Sequence, residues 1–167
     1  MKKILLCAAA LALSLAPLRA EPVKPVPAPP WRLKDADGNV VTSGQFRGKV
    51  VVLDFWATWC PPCRAEIPGY VELQKKYAAD GLVIVGVSAD DDTPERPAAV
   101  KKFIEKFGIN YPIVMADDSV SGAYGPIDAI PTTFIIDREG RIRDRKVGAL
   151  PTADYEKRIL AVLRSEP

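Results

Sequence analysis

The sequence predicts an α/β fold in which a mixed central sheet carries helices on both faces. Short β-branched apolar runs alternate along the chain with stretches of helical periodicity, as is typical of strands joined by helices. The last two apolar runs are separated only by the turn Arg138-Glu139-Gly140, which predicts an antiparallel hairpin. Another hairpin is predicted near the start, where Asp37-Gly38 lies between two short runs that mix polar and apolar residues.

The elements of the core follow in chain order. Residues 49–55 form a continuous apolar run broken only by Asp54, which suits a central strand buried on both faces. A helix is predicted to begin at Pro62, the second of the two prolines that lie between Cys60 and Cys63. The full set is a hairpin over 33–42, strands over 49–55, 82–87, 111–115, 132–136 and 142–147, and helices over 62–79, 98–107, 119–124 and 153–163.

The first 20 residues have the pattern of an export signal. A basic start precedes an apolar stretch from residue 4 to residue 18, and Ala20 offers a small residue for cleavage before Glu21. The stretch of about 15 residues is shorter than the roughly 20 that a membrane span needs. We therefore expect a signal peptide over 1–20 and a protein exported to the periplasm or another extracytoplasmic space. An uncleaved signal that serves as a membrane anchor stays open.

The remainder of the chain divides into a linker and one domain. Residues 21–30 are rich in proline, which favours an extended, semi-rigid spacer. Residues 31–167 are enough for one domain with a buried core. Removal of residues 1–20 takes away three basic residues and no acidic one, which leaves 20 basic against 21 acidic residues. A net charge of −1 gives no indication of a nucleic-acid partner, which requires a basic excess.

The two cysteines that remain after removal of the signal lie in one motif, Cys60-Pro61-Pro62-Cys63. The motif stands where a buried strand ends and a helix begins. Backbone N–H groups and the positive end of the helix dipole favour a thiolate at Cys60. The spacing allows Cys60 to attack a partner disulfide and Cys63 to resolve the mixed disulfide. We expect Cys60 to be exposed and Cys63 to lie one turn behind it.

Other uses of the cysteine pair have little support. A zinc site needs two further ligands, and the chain has no histidine and no second cysteine pair. The acidic run at 90–92 lacks the spaced ligands of a calcium loop, so we expect a solvated turn there. We therefore expect no metal and no cofactor beyond the redox-active Cys60–Cys63 disulfide.

Two sequence stretches carry a resemblance to a known family. They are Asp-Phe-Trp-Ala-Thr-Trp-Cys-Pro-Pro-Cys-Arg-Ala-Glu-Ile-Pro over 54–68 and Ile-Pro-Thr-Thr-Phe-Ile-Ile-Asp over 130–137. Both resemble the signatures of exported thiol–disulfide oxidoreductases of the TlpA/ResA type, with the periplasmic thioredoxins of cytochrome c biogenesis among their relatives. The resemblance implies a thioredoxin-like fold with an added N-terminal β-hairpin.

The resemblance also implies a substrate-facing surface. Pro131 matches the family's cis-proline, whose preceding residue, here Ile130, pairs its backbone with an incoming substrate strand. Trp59 resembles a tryptophan at the active-site cap, and Pro61 and Pro62 complete the expected contact surface. We expect Trp56 to be packed in the core.

Two acidic residues are candidate proton-transfer groups. Asp54 interrupts an apolar strand, so we expect a buried carboxyl with a raised pKa. It matches the aspartate that accepts the proton of the buried cysteine in cytoplasmic thioredoxins. Glu66 matches an acidic position near the cysteines of the TlpA/ResA type. As an acid in the first turn of a helix, we expect it to be the better solvated of the two.

These residues predict an extracytoplasmic enzyme that reduces protein disulfides, and the resemblance implies a role in cytochrome c maturation or metal-site assembly. Such a reductant requires a membrane electron donor, and we expect the protein to be a monomer. Two alternatives stay open. One is a thiol peroxidase related to peroxiredoxins, which share the fold, and the other is a non-catalytic peptide-binding or chaperone module.

Overall fold

The computed structural model describes residues 26–165. The predicted signal peptide and the first half of the predicted linker lie outside the described residues. The strands are β1 (Val26–Pro27), β2 (Arg32–Lys34), β3 (Val40–Thr42), β4 (Val50–Trp56), β5 (Leu82–Ser88), β6 (Ile113–Met115), β7 (Thr132–Ile136) and β8 (Arg141–Val147). The helices are α1 (Pro61–Tyr77), α2 (Arg96–Phe107), α3 (Asp118–Ala123) and α4 (Thr152–Leu163).

Six strands form a mixed sheet in the order β1-β8-β7-β4-β5-β6. The strands β4, β5 and β6 run parallel, whereas β7 runs antiparallel to both β4 and β8. All seven residues of β4 are buried, as expected for a β-branched strand at the centre of a sheet. The predicted mixed sheet is confirmed.

Alternate residues of β4 face two different layers. Val50 and Val52 pack in a cluster with side chains from α1 and α4. Val51 and Leu53 point to the opposite face, where they pack with residues of α3 and of the β2–β3 hairpin. The helix α2 joins the α1 side, where Val100 packs near the cysteines. The prediction of helices on both faces is therefore confirmed.

The N-terminal hairpin forms as predicted, but it does not extend the main sheet. Strands β2 and β3 pair with each other as a separate two-stranded sheet. The strand β1 is an addition that the sequence analysis did not include, since it lies within the predicted linker. Val26 pairs with Ile142 at the sheet edge. A proline-rich segment fits such an edge because only one side of its backbone needs ladder hydrogen bonds.

The carboxyl end of β4 leads directly into α1, and two close approaches fix this junction. The Trp56 indole crosses Gly86 of the neighbouring strand so closely that a Cβ at that position would overlap Nε1 of the indole. Gly69 of α1 likewise lies against the side chain of Thr152 at the start of α4. The first contact packs the Trp56 side chain against β5, and the second holds α1 against α4. Within residues 26–165, no helix has the length and apolar character needed to cross a membrane.

Candidate active site

The cysteine pair lies at the N-terminus of α1 and is oxidised. Cys60 caps the helix, its Sγ accepting a hydrogen bond of 3.3 Å from the Cys63 N–H, and a disulfide joins the two residues. The expectation that Cys60 is exposed is wrong for this state, since Cys60 is 3% exposed and Cys63 2%. The loop before β7 lies against the pair, with the carbonyl oxygen of Ile130 3.8 Å from Cys60 Sγ.

The predicted cis-proline lies beside this pair. The peptide bond between Ile130 and Pro131 is cis, and it places the Ile130 carbonyl against Cys60. The Pro131 carbonyl accepts a hydrogen bond of 2.8 Å from the N–H of Gly148. The loop after β8 therefore holds the proline segment in position.

Asp54 lies near the carboxyl end of β4, among the buried apolar residues of that strand. It is 6% exposed, and the Thr133 hydroxyl on the paired strand donates a hydrogen bond of 3.0 Å to its Oδ1. Burial, with the negative charge of Glu66 as a second cause, raises the pKa of Asp54 from 3.8 to about 8, although the hydrogen bond from Thr133 opposes the rise. The predicted burial and the predicted rise in pKa are both confirmed. The hydroxyls of Tyr70 and Tyr155 both lie within hydrogen-bonding distance of the Thr133 hydroxyl.

Glu66 differs from the expectation of a solvated helix acid. It is also 6% exposed, because the loop before α4 packs against the first turns of α1. The Leu150 N–H donates a hydrogen bond of 2.7 Å to Oε1, while Oε2 has no hydrogen-bond partner among the described residues. Burial raises the pKa of Glu66, against the lowering effect of the bond from Leu150. The site therefore contains two buried carboxyls rather than one.

A family model described as "Redoxin" matches residues 24–163, which is most of the chain and includes the cysteine pair, Pro131 and both buried carboxyls. The chain belongs to the redoxin family. Among its similar proteins is the thiol-disulfide oxidoreductase ResA of Geobacillus thermodenitrificans, 36% identical over 136 residues, or 81% of this chain and 75% of that protein. ResA of Bacillus subtilis is 36% identical over 116 residues, or 69% of this chain and 62% of that protein.

Solved structures agree with this assignment. A thiol:disulfide interchange protein of the thioredoxin family from Chlorobium tepidum is 35% identical and superposes with a TM-score of 0.76, over 84% of this chain and 98% of that chain. StoA from Bacillus subtilis is 25% identical with a TM-score of 0.65, over 80% of this chain and 98% of that chain. The redoxin described here is thus a thiol–disulfide oxidoreductase of the ResA type with a thioredoxin-like fold, as the resemblance implied.

Of the tryptophans and prolines in and next to the cysteine motif, some are exposed and one is buried. Trp59 is 62% exposed, and Pro61 and Pro62 are exposed beside it, so all three are available to a partner. Trp56 is buried and its ring centroid lies 5.2 Å from that of Phe103 on α2. Trp56 therefore packs in the core, as predicted.

One residue that positions the site was missed by the sequence analysis. Asp90 was assigned to a solvated turn, but its carboxylate accepts hydrogen bonds from the Thr58 N–H and hydroxyl and from the Ser88 hydroxyl. These bonds connect the end of β5 to the loop that carries Trp59. A hydrogen bond across 32 residues leaves no local signal in the sequence. No group of three or more side chains suited to a metal ion occurs within residues 26–165.

Proposed function

We propose that this protein reduces disulfide bonds of other proteins outside the cytoplasm, with Cys60 as the attacking group and Cys63 as the resolving group. The observation that carries the proposal is a disulfide at a helix N-terminus in a fold that also buries two carboxyls, Asp54 at the end of the preceding strand and Glu66 one helical turn after Cys63. The helix N-terminus favours the Cys60 thiolate, and we infer that the buried acids accept the proton of Cys63.

In the first step, the Cys60 thiolate attacks one sulfur of the partner disulfide. A mixed disulfide forms, and the other partner sulfur leaves as a thiolate that takes up a proton from water. The Cys63 N–H that bonds Cys60 Sγ at 3.3 Å is placed to stabilise the thiolate before the attack.

In the second step, Asp54 in its ionised form takes the proton of Cys63, and the resulting thiolate attacks Cys60 Sγ. The Cys60–Cys63 disulfide forms and the second partner sulfur leaves as a thiolate, so that two electrons have passed to the partner. A carboxyl with a pKa of about 8 suits this role, because its affinity for a proton is close to that of a thiol.

The two carboxyls also bear on the direction of electron flow. Glu66 follows Cys63 by three residues on α1 and so lies on the same helix face. Negative charge near a thiolate raises the thiol pKa and destabilises the reduced, ionised form. Strongly oxidising dithiols owe their potential to a stabilised reduced form, so buried carboxyls favour a reductant.

The location and partners rest on the sequence and on the relatives. The export pattern of residues 1–20 supports a periplasmic or other extracytoplasmic enzyme. A reductant in an oxidising space must be re-reduced, so we infer a membrane electron donor. Apocytochrome c and proteins with metal-site cysteines are the substrate classes that the ResA resemblance suggests.

The test is turnover of insulin disulfides with dithiothreitol as electron source. We expect catalysis by the wild-type protein and none by Cys60→Ser, which serves as the matched inactive control. Consumption of hydrogen peroxide in place of insulin reduction would support the peroxidase alternative. Peptide binding without turnover in either assay would support a non-catalytic module.

A further inference from the structure

A groove with three positive charges opens beside the cysteine motif. It encloses about 430 Å³ between the start of α1 and one face of α2. We call it the basic groove, and its lining includes Trp59, Arg64, Lys102, Phe103, Lys106 and Phe107. Trp59 directly precedes Cys60 and Arg64 directly follows Cys63, so one wall of the basic groove consists of the residues that flank the redox pair.

The floor of the basic groove is aromatic. The rings of Phe103 and Phe107 stack with centroids 4.2 Å apart. The Arg64 guanidinium lies over both rings, 5.9 and 5.5 Å from their centroids, and the Lys106 ammonium lies 5.9 Å from the Phe107 centroid. Such packing orients a cation through its apolar contacts while its N–H donors still face solvent.

The cations of the basic groove have no acidic partner in the described part of the chain. Arg64, Lys102 and Lys106 take part in none of the salt bridges found between residues 26 and 165. Lys101 on the same helix is different, because its ammonium pairs with Asp37 at 2.5 Å. The basic groove is thus an unneutralised patch on a chain whose formal net charge is only +2.

The helix spacing explains why the charges collect on one side. Residues 99, 102, 103 and 106 follow the i, i+3, i+4, i+7 pattern that places side chains on one helix face. Glu105 is not among the residues that line the basic groove, and its charge adds to the hydrogen bond with Asp37 in raising the pKa of Lys101. Asp90 hydrogen-bonds Thr58 at the rim of the basic groove, and donors from Thr58 and Ser88 occupy its oxygens.

We propose that the basic groove binds acidic side chains next to the disulfide of a protein substrate, an inference that rests on the reductase function proposed above. A guanidinium and two ammonium groups around an aromatic floor match the carboxylates of an Asp- or Glu-containing segment. Because the groove adjoins Cys60 through Trp59, a segment held there presents its own disulfide to the attacking sulfur. The groove thereby selects substrates by the charge near their cysteines.

The test compares three peptide disulfides that differ only in two residues beside one cysteine, with Glu, Ser or Lys at both positions. The full-length protein is reduced and desalted, and the rate of its oxidation by each peptide is followed by tryptophan fluorescence. We expect the Glu peptide to react about tenfold faster than the Ser peptide at low salt, and the Lys peptide to be slowest. At about 0.5 M salt the three rates should approach one another.

Charge-reversal variants assign the preference to the basic groove. The double variant Lys102→Glu with Lys106→Glu should invert the order of the Glu and Lys peptides. The matched control, Lys34→Glu with Lys75→Glu, alters the net charge equally at exposed positions outside the groove and should keep the wild-type order.

Each other outcome has a definite meaning. Equal rates for the three peptides, or inversion by the control variant as well, would overturn the basic groove as a substrate site while the reductase function stands. Failure to reduce any peptide would instead contradict the proposed function itself. Co-sedimentation with phosphatidylserine vesicles that the groove variant alone abolishes, without a peptide preference, would assign the surface to lipid and overturn the proposal.

Discussion

Replacement of Asp54 by Asn should make the protein more stable, and the gain should grow as the pH rises. A carboxyl whose pKa is higher in the folded state than in the unfolded state lowers the free energy of unfolding. It does so at every pH at which the carboxyl is ionised in the unfolded chain. For Asp54 the folded pKa is about 8 and the ordinary value is 3.8. Between these two values the unfolded state binds fewer protons than the folded state, so the free energy of unfolding falls with increasing pH. This loss of free energy of unfolding, the penalty for burying Asp54, is nearly zero below pH 3.8 and reaches its full size above pH 8.

The size of the effect follows from the two pKa values. At pH 7 the penalty is about 4 kcal/mol, since each tenfold difference in proton affinity corresponds to about 1.4 kcal/mol. At pH 4 it is below about 1 kcal/mol. Asparagine keeps the shape of the side chain and an oxygen that accepts the hydrogen bond from Thr133, but it has no charge to bury. The variant should therefore recover most of the penalty at pH 7 and little of it at pH 4.

Urea unfolding of the oxidised protein between pH 4 and pH 8 measures this difference directly. The control is Asp128→Asn, which removes the same charge from an exposed loop. It should change the free energy of unfolding by less than about 0.5 kcal/mol at every pH. If the Asp54→Asn variant matched the wild type at pH 7, or gained equally at pH 4 and pH 8, the account of a buried, protonated carboxyl would be refuted.

Three further results are expected. Cys63→Ser should accumulate mixed disulfides with partner proteins through Cys60, identifiable by mass spectrometry, whereas traps that form through Cys63 in a Cys60→Ser variant would reverse the assigned roles. Glu66→Gln should lower the pKa of Asp54 because it removes a neighbouring negative charge, so the pH midpoint of the resolving step, followed by stopped-flow fluorescence, should move down; an unchanged midpoint would show that the two carboxyls are uncoupled. The Cys60–Cys63 couple, equilibrated with glutathione, should have a potential more negative than roughly −200 mV, and a value near −120 mV would instead indicate a disulfide donor.

Local patterns were sufficient to predict the apolar run that becomes β4 and the cysteine motif at the start of α1. The thioredoxin-like fold and the cis-proline before β7 were instead predicted from the family resemblance, because the local pattern at Pro131 indicates only the start of a strand. The burial of Asp54 could be predicted because both of its chain neighbours are apolar and belong to a strand that is covered on two faces. A raised pKa then follows from burial alone.

The features that were missed depend on contacts between distant parts of the chain. Glu66 was expected to be solvated because it is an acid in the first turn of a helix, although it shares a helix face with buried Cys63, Tyr70 and Leu73. The segment at Leu150, 84 residues away in the sequence, covers it. Asp90 belongs to an acidic run that is typical of a solvated turn, yet it anchors Thr58. The strand β1 forms because the edge of β8 offers unpaired backbone groups, and nothing within a proline-rich segment indicates such a partner.

The contact that buries Glu66 also connects it to the substrate-facing loop. Residues 148–151 donate two backbone hydrogen bonds, from Gly148 to the Pro131 carbonyl and from Leu150 to Glu66 Oε1. One short loop therefore holds both the segment that faces Cys60 and a carboxyl near Cys63. A partner strand that shifts the Pro131 segment would act on the Glu66 bond through this loop, and Glu66 in turn raises the pKa of Asp54.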